Sequence, residues 1–123
     1  MQFDKLSGKV IGCALEVHRA LGPGLLESAY QRCLAHELSL AGIPFVLERE
    51  IPVVYKGTRI ECGYRADMIV DGALLVELKS VDGIVPIHEA QILSYMKLAG
   101  IRTGLLLNFN VERLKDGIRR FVL

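Results

Sequence analysis

The chain lacks the bulk signs of several protein classes. Its 15 basic and 14 acidic residues leave a net charge of only +1. That balance excludes a globally basic nucleic-acid binder, so such a partner would have to meet a local basic patch. Cysteine is scarce: Cys13, Cys33 and Cys62 are odd in number, widely spaced and form no CxxC. They read as reduced, mostly packed thiols in a cytoplasmic protein, not as a disulfide framework. No run reaches about 18 apolar residues, and the opening MQFDKLSGKV has no apolar signal core. The expectation is therefore a protein that is neither secreted nor membrane-spanning. Repeats and low-complexity linkers are absent from the sequence, as are a Walker loop, a GxSxG elbow and an evident Cys-His nucleophile pair.

What is present is a folding chain. Hydrophobic residues make up 51% of 123 and charged residues 24%, which predicts one domain over 1–123 with a real core. Leu6, Val10, Ala14, Val17 and Leu21 recur at helical spacing and predict a helix over about 7–21, broken by Gly22-Pro23-Gly24. Leu26, Tyr30, Cys33, Leu34, Leu38 and Ala41 form a second stripe that stops at Gly42. The period then shortens. Residues 45–55, 58–70 and 73–79 read as strands of a meander, with turns at Lys56-Gly57 and Asp71-Gly72. Ala90, Leu93, Met96 (or Lys97) and Leu98 suggest a helix over about 87–99 capped by Gly100. Residues 103–109 read as a buried strand and 118–123 as a short edge strand. The fold class is α/β in the α+β sense: a mixed sheet flanked by helices, in the order α-α-β-β-β-β-α-β-β. The helix joining the last strands should cross over right-handed and pack on one sheet face.

One strand is odd. LLVELKS, residues 74–80, is apolar except that Glu77 and Lys79 share a face. An exposed ion pair on a solvated face would explain them dully. Asp67 lies ten residues earlier across a tight hairpin, and the two carboxylates with one ammonium would suit magnesium. Glu27 stands at the edge of the second helix's apolar stripe, where it is either paired with a cation or simply favoured by the helix dipole. Gln91 and Tyr95 share a face of the third helix, with His88 three residues before Gln91. His88 has no second ligand at metal-site spacing. The metal reading makes one geometric demand. A two-residue loop at Asp71-Gly72 would turn Asp67 away from Glu77, so the loop must be odd in length or bulged.

Asp67, Glu77-Leu78-Lys79 and Gln91-Ile92-Leu93-Ser94-Tyr95 resemble the D…(D/E)xK…QxxxY pattern of the PD-(D/E)XK nuclease superfamily. Gly24-Leu25-Leu26-Glu27-Ser28-Ala29-Tyr30, with EVHRALGPG, PIHEAQILSYMKLAG and GLLLNFN around it, resembles the small GxxExxY family within that superfamily. The likeness runs from about residue 8 to 110, and Ala66 stands where the name motif has proline. It implies a restriction-endonuclease-like core. Asp67, Glu77 and Glu27 would be metal ligands, Glu27 also a catalytic acidic residue, Lys79 the catalytic lysine, and Gln91 and Tyr95 a supporting catalytic pair. It implies magnesium, with manganese as a substitute, and nucleic acid, DNA first, as partner. The small neutral chain further suggests a homodimer or a partner subunit. The competing functions are a magnesium-dependent nuclease, a non-catalytic nucleic-acid- or protein-binding module on the same fold, and a hydrolase of another phosphate ester.

Overall fold

Two helices open the chain, α1 (Lys5–Leu21) and α2 (Glu27–Leu40), in a computed structural model that describes residues 4–123. Asp4 caps α1: its carboxylate accepts the Ser7 N–H at 3.0 Å and an Arg120 N–H at 2.9 Å. Val10, Ala14 and Val17 of α1 and Tyr30, Leu34 and Leu38 of α2 are buried against each other and one face of the sheet. Leu21, Leu26 and Ala41 were expected in these stripes but are exposed, because each lies at or beyond a helix end.

The two longest strand segments each divide. Residues 45–55 give β1 (Phe45–Glu50) and β2 (Val53–Tyr55), and 58–70 give β3 (Thr58–Ile60) and β4 (Arg65–Val70). Pro52 has no N–H for a ladder, and Gly63 turns the return strand at φ 75°. β2 and β3 therefore pair with each other as a separate hairpin, and five strands precede the third helix where the expected order has four. Its neck is closed by the Ile51 N–H donating to the Tyr64 carbonyl at 2.8 Å.

The main sheet has the order β1-β4-β5-β6-β7, with β5 (Leu74–Lys79), β6 (Thr103–Asn108) and β7 (Ile118–Val122). β5 and β6 run parallel, joined by α3 (Pro86–Ala99), and the other neighbours are antiparallel. Alternation sorts the strands' side chains. Leu74, Val76 and Leu78 pack with α1 and α2, while Leu75 and Leu106 pack with α3. The fold is thus the mixed sheet between helix layers that the sequence predicts.

α3 is rotated from its expected phase. Ala90 and Leu98 are exposed, and Ile92, Tyr95 and Met96 are buried. The helix settles over Gly104 of β6, where an added Cβ would stand 2.6 Å from Met96 Sδ and 3.2 Å from Ile92 Cδ1. The far end of β5 is anchored in its turn. The Phe109 N–H donates to the Lys79 carbonyl at 2.9 Å. Buried Asn108 bridges to Val81, accepting its N–H at 3.1 Å and donating to its carbonyl at 3.0 Å. Gly117, in a single 3-10 turn (Leu114–Gly117), presses on the Asn108 backbone, and a Cβ there would lie 2.2 Å from the Asn108 oxygen.

That contact is with backbone, which cannot swing aside. Gly117→Ala should destabilise the protein by roughly 1–3 kcal/mol, the usual cost of overpacking. Chemical denaturation would measure it, and an unchanged midpoint would mean that the turn and β6 separate freely.

Candidate active site

The loop between β4 and β5 decides the site. Val70 pairs with Leu74, leaving a three-residue loop at 71–73, with Asp71 at φ 52° and Gly72 at φ 64°. The register Met68–Val76, continued one step, sets Asp67 opposite Glu77. The odd-length turn demanded by the metal reading is present.

Backbone pairing of β4 with β5 ends at Met68–Val76, and side chains take over. Glu77 Oε1 accepts the Asp67 N–H at 2.9 Å, and Asp67 Oδ2 accepts the Leu78 N–H at 2.8 Å. The alternation slips at the same level. Met68 and Val70 face α1 and α2, yet Ala66, two residues from Met68, packs on the α3 side. Phe45 and Leu47 of β1 pack on the α1–α2 side and Ile51, just past its end, on the other, and between them Glu48 has φ 53°. A non-glycine residue at positive φ stores strain that its surroundings must hold. Gln31 of α2 supplies part of that hold. Its side-chain nitrogen donates to Glu48 Oε1 and to the Asp67 carbonyl, each at 2.9 Å.

Glu27 comes from the first turn of α2 and is exposed, so burial does not account for it. Its position follows from Tyr30, one turn on. The buried Tyr30 hydroxyl donates to the Gly22 carbonyl at 2.6 Å and accepts the Leu25 N–H at 3.2 Å, and its ring stacks on Phe109 at 4.5 Å. Ser80, next to Lys79, donates to the Leu25 carbonyl at 2.6 Å. The Gly22–Leu26 loop is thereby tied to the end of β5. His18 fixes the same corner by binding the Val111 carbonyl at 2.8 Å.

Glu27, Glu48 and Asp67 border one cavity of about 220 Å³, together with Gln31. Lys79 lies on the other side of β5. Its Nζ donates to Gln91 Oε1 at 3.4 Å, and Gln91 Nε2 donates to the Tyr95 hydroxyl at 3.2 Å. His88 borders the same α3 side, where its Nδ1 accepts the Val85 N–H at 3.1 Å and caps the helix start. The six candidate side chains thus fall into two groups, Glu27 with Asp67 and Lys79 with Gln91 and Tyr95, and Glu77 stands between them. Sequence reasoning missed Glu48 and Gln31. The signals were faint: Gln31 is four residues from Glu27, and Glu48 is an ordinary charge in an exposed-looking strand.

Charge is unbalanced here. Glu77 is only 4% exposed, and its carboxyl is pushed up to about 8, first by burial and next by the Asp67 charge. The Asp67 N–H and Lys79 oppose this in part. Asp67 is raised as well, mainly by burial, with the Leu78 N–H pulling it down and the Glu27 and Glu48 charges pushing it up. Tyr95 is raised by burial and by the Glu77 charge. Among the described residues neither Asp67 nor Glu77 has a salt-bridge partner. No three histidine, cysteine or acidic side chains among those residues converge closely enough to enclose an ion. Asp67, which borders the cavity, and Glu77, hydrogen-bonded to its N–H, are nonetheless two oxygen donors without a salt-bridge partner, and they fit a hard divalent cation that keeps several of its waters.

A family model described as the PD-(D/E)XK nuclease superfamily matches residues 4–121. No curated protein and no solved structure matches the chain.

The buried pair fixes the sign of a pH dependence. Glu77 has its proton affinity raised from an ordinary 4.5 to about 8 by folding, so its contribution is present at low pH and is lost as pH climbs through that interval. Without divalent ions, Glu77→Gln should therefore match or trail the wild type near pH 4.5 and exceed it near pH 8 by roughly 1–3 kcal/mol. Thermal melts in EDTA across that range test it. A wild type whose stability rises steadily to pH 8 would remove the buried charge from the account.

Proposed function

Because the chain belongs to the PD-(D/E)XK nuclease superfamily, we propose that it is a magnesium-dependent nuclease of the GxxExxY type that hydrolyses phosphodiester bonds, DNA first among its substrates. The observation that carries the reading is the crossed Asp67–Glu77 pair, two partly or fully buried carboxylates without a salt-bridge partner among the described residues. PD-(D/E)XK nucleases generally use divalent metals. Asp67 and Glu77 would hold the ion, with Glu27 a further oxygen donor on the cavity that Asp67 borders. A bound divalent ion lowers the pKa of its water and neutralises charge on a phosphoryl oxygen.

This chain's own groups do the rest. Lys79 supplies positive charge beside the attacked phosphate and orients the nucleophilic water. Gln91 holds the Lys79 ammonium from α3, and Tyr95 holds Gln91 in turn. Gln31 and Glu48 are positioning residues that keep Asp67 at the slip in β4. Net charge near zero gives weak purchase on a duplex, so a homodimer or a partner subunit would complete a grip on one. No helix among the described residues is long and apolar enough to cross a membrane, and a cytoplasmic site of action completes the proposal. A non-catalytic binding module is the second reading, favoured by the lack of a closed three-ligand cluster among the described residues.

Magnesium or manganese should raise the melting temperature of the wild type but not of Asp67→Asn, since an amide is a poor ligand for a hard cation. Lys79→Ala should keep the fold and the metal response yet lose cleavage on the order of 10²-fold or more, as when one electrostatic stabiliser of a transition state is removed. Lys115→Ala, an exposed change in the 3-10 turn, is the control. Cleavage of labelled DNA and RNA reads the outcome. A wild type silent with both ions, or a Lys79→Ala protein as active as the wild type, hands the function to the binding module.

A further inference from the structure

A groove of about 580 Å³ runs between α3 and the foot of the β2–β3 hairpin. Tyr64, Ile87, Tyr95 and Leu98 give it an apolar wall, and Lys79 and Ser94 also border it. Three of these apolar side chains are exposed: Tyr64 by 48%, Ile87 by 71% and Leu98 by 37%. Contiguous exposed apolar surface on a small chain points to a binding site. The Tyr64 ring leans on Tyr95, with centroids 5.9 Å apart and planes tilted by 49°, so Tyr64 is supported from within the fold while half its surface stays open.

We propose that this groove receives the nucleotide next to the scissile phosphate, with its base stacked on Tyr64, and that the substrate is therefore single-stranded or locally unpaired nucleic acid. The inference rests on the nuclease reading of Lys79 and specifies its substrate class. Lys79 lies in the wall of this groove and does not border the cavity lined by Glu27, Glu48 and Asp67. A phosphate held at Lys79 therefore stands at the mouth of this groove, and the nucleoside next to it can extend along α3. A paired base could not reach Tyr64, because its faces are taken by its neighbours in the stack, whereas an unpaired base can leave the stack and lie on an aromatic ring. Charge agrees with this. Duplex binding draws on an excess of lysine and arginine facing the phosphates, and 15 basic against 14 acidic residues leave no overall excess. Stacking supplies affinity that needs no such excess. His88 adds a polar contact at the groove's edge. Its Nδ1 is engaged by the Val85 N–H, which leaves Nε2 as the ring donor for a phosphate or a base edge.

The test measures binding of the full chain in EDTA, where no divalent ion supports cleavage. Fluorescent 12-mers of single-stranded DNA, single-stranded RNA and blunt duplex DNA serve as probes in low salt. The single strands should bind at least tenfold more tightly than the duplex, and the DNA and RNA arms decide which sugar is preferred. Tyr64→Ala should weaken single-strand binding roughly tenfold or more, in line with loss of one stacked base, and Tyr64→Phe should restore it. Ile87→Glu, at the most exposed point of the wall, should weaken it without a change in melting temperature, and it stands in if Tyr64→Ala fails to fold. Equal affinity for duplex and single strand, no binding of any probe, or Tyr64 and Ile87 variants that bind like the wild type would overturn the proposal. The two readings fail separately. Duplex cleavage indifferent to Tyr64→Ala sinks the groove and leaves the nuclease. Tyr64-dependent single-strand binding without cleavage in magnesium or manganese sinks the nuclease and leaves the groove.

Discussion

Everything at the site depends on two crossed hydrogen bonds between β4 and β5. Past Met68 and Val76 the strands stop exchanging backbone hydrogen bonds, and the Asp67 and Glu77 carboxylates accept the opposing N–H groups instead. A carboxylate is a stronger acceptor than a carbonyl, and the strands stay joined there. The substitution has an electrostatic consequence. Two acids are drawn together where water is thin, and the charge of Lys79 offsets their burial only in part. Sheet geometry and charge storage are thus one feature. A cation that relieves the charge would leave the shape of the hairpin unchanged.

β5 acts as a partition. Its alternating side chains send Leu74, Val76 and Leu78 toward α1 and α2 and Leu75 toward α3, and the two faces carry unlike chemistry. On one side the Glu27, Glu48 and Asp67 carboxylates gather, and on the other stand Lys79, Gln91 and the tyrosines. The conspicuous Gly24–Tyr30 stretch serves this arrangement mostly as scaffold. Tyr30 is wholly buried, and its hydroxyl holds the loop from which Glu27 emerges. The motif's tyrosine and glutamate therefore do different jobs, and the Ser80–Leu25 hydrogen bond ties both to the strand that bears Lys79.

Much of this was legible before any coordinates. Helical spacing located all three helices to within about two residues, because their buried faces are long and their breakers, Gly22-Pro23-Gly24 and Gly100, are emphatic. The need for an odd turn at Asp71-Gly72 followed from period-two alternation alone. Where the reading fell short, tertiary contacts had overridden a local pattern. The phase of α3 depends on Gly104, a residue of a different strand. The split of 45–55 and 58–70 depends on Pro52 and Gly63 acting together across a hairpin that neither identifies alone. Glu48 was invisible because its importance lies in a positive φ and in a hydrogen bond from Gln31, 17 residues away. Glu27 was left between a cation partner and the helix dipole, and its side chain, in the first turn of α2, is exposed.

The separate β2–β3 hairpin divides the chain into parts with different freedom to vary. It adds no strand to the five-stranded sheet, and the Ile51–Tyr64 hydrogen bond closes it off at the neck. Substitutions or length changes beyond that neck leave the carboxylate pair and its supports untouched. They alter the rim over α3, where Val53 and Tyr64 stand. A lineage could therefore retune what the groove admits while inheriting the acidic centre unchanged, and divergence among such chains should concentrate between residues 52 and 63.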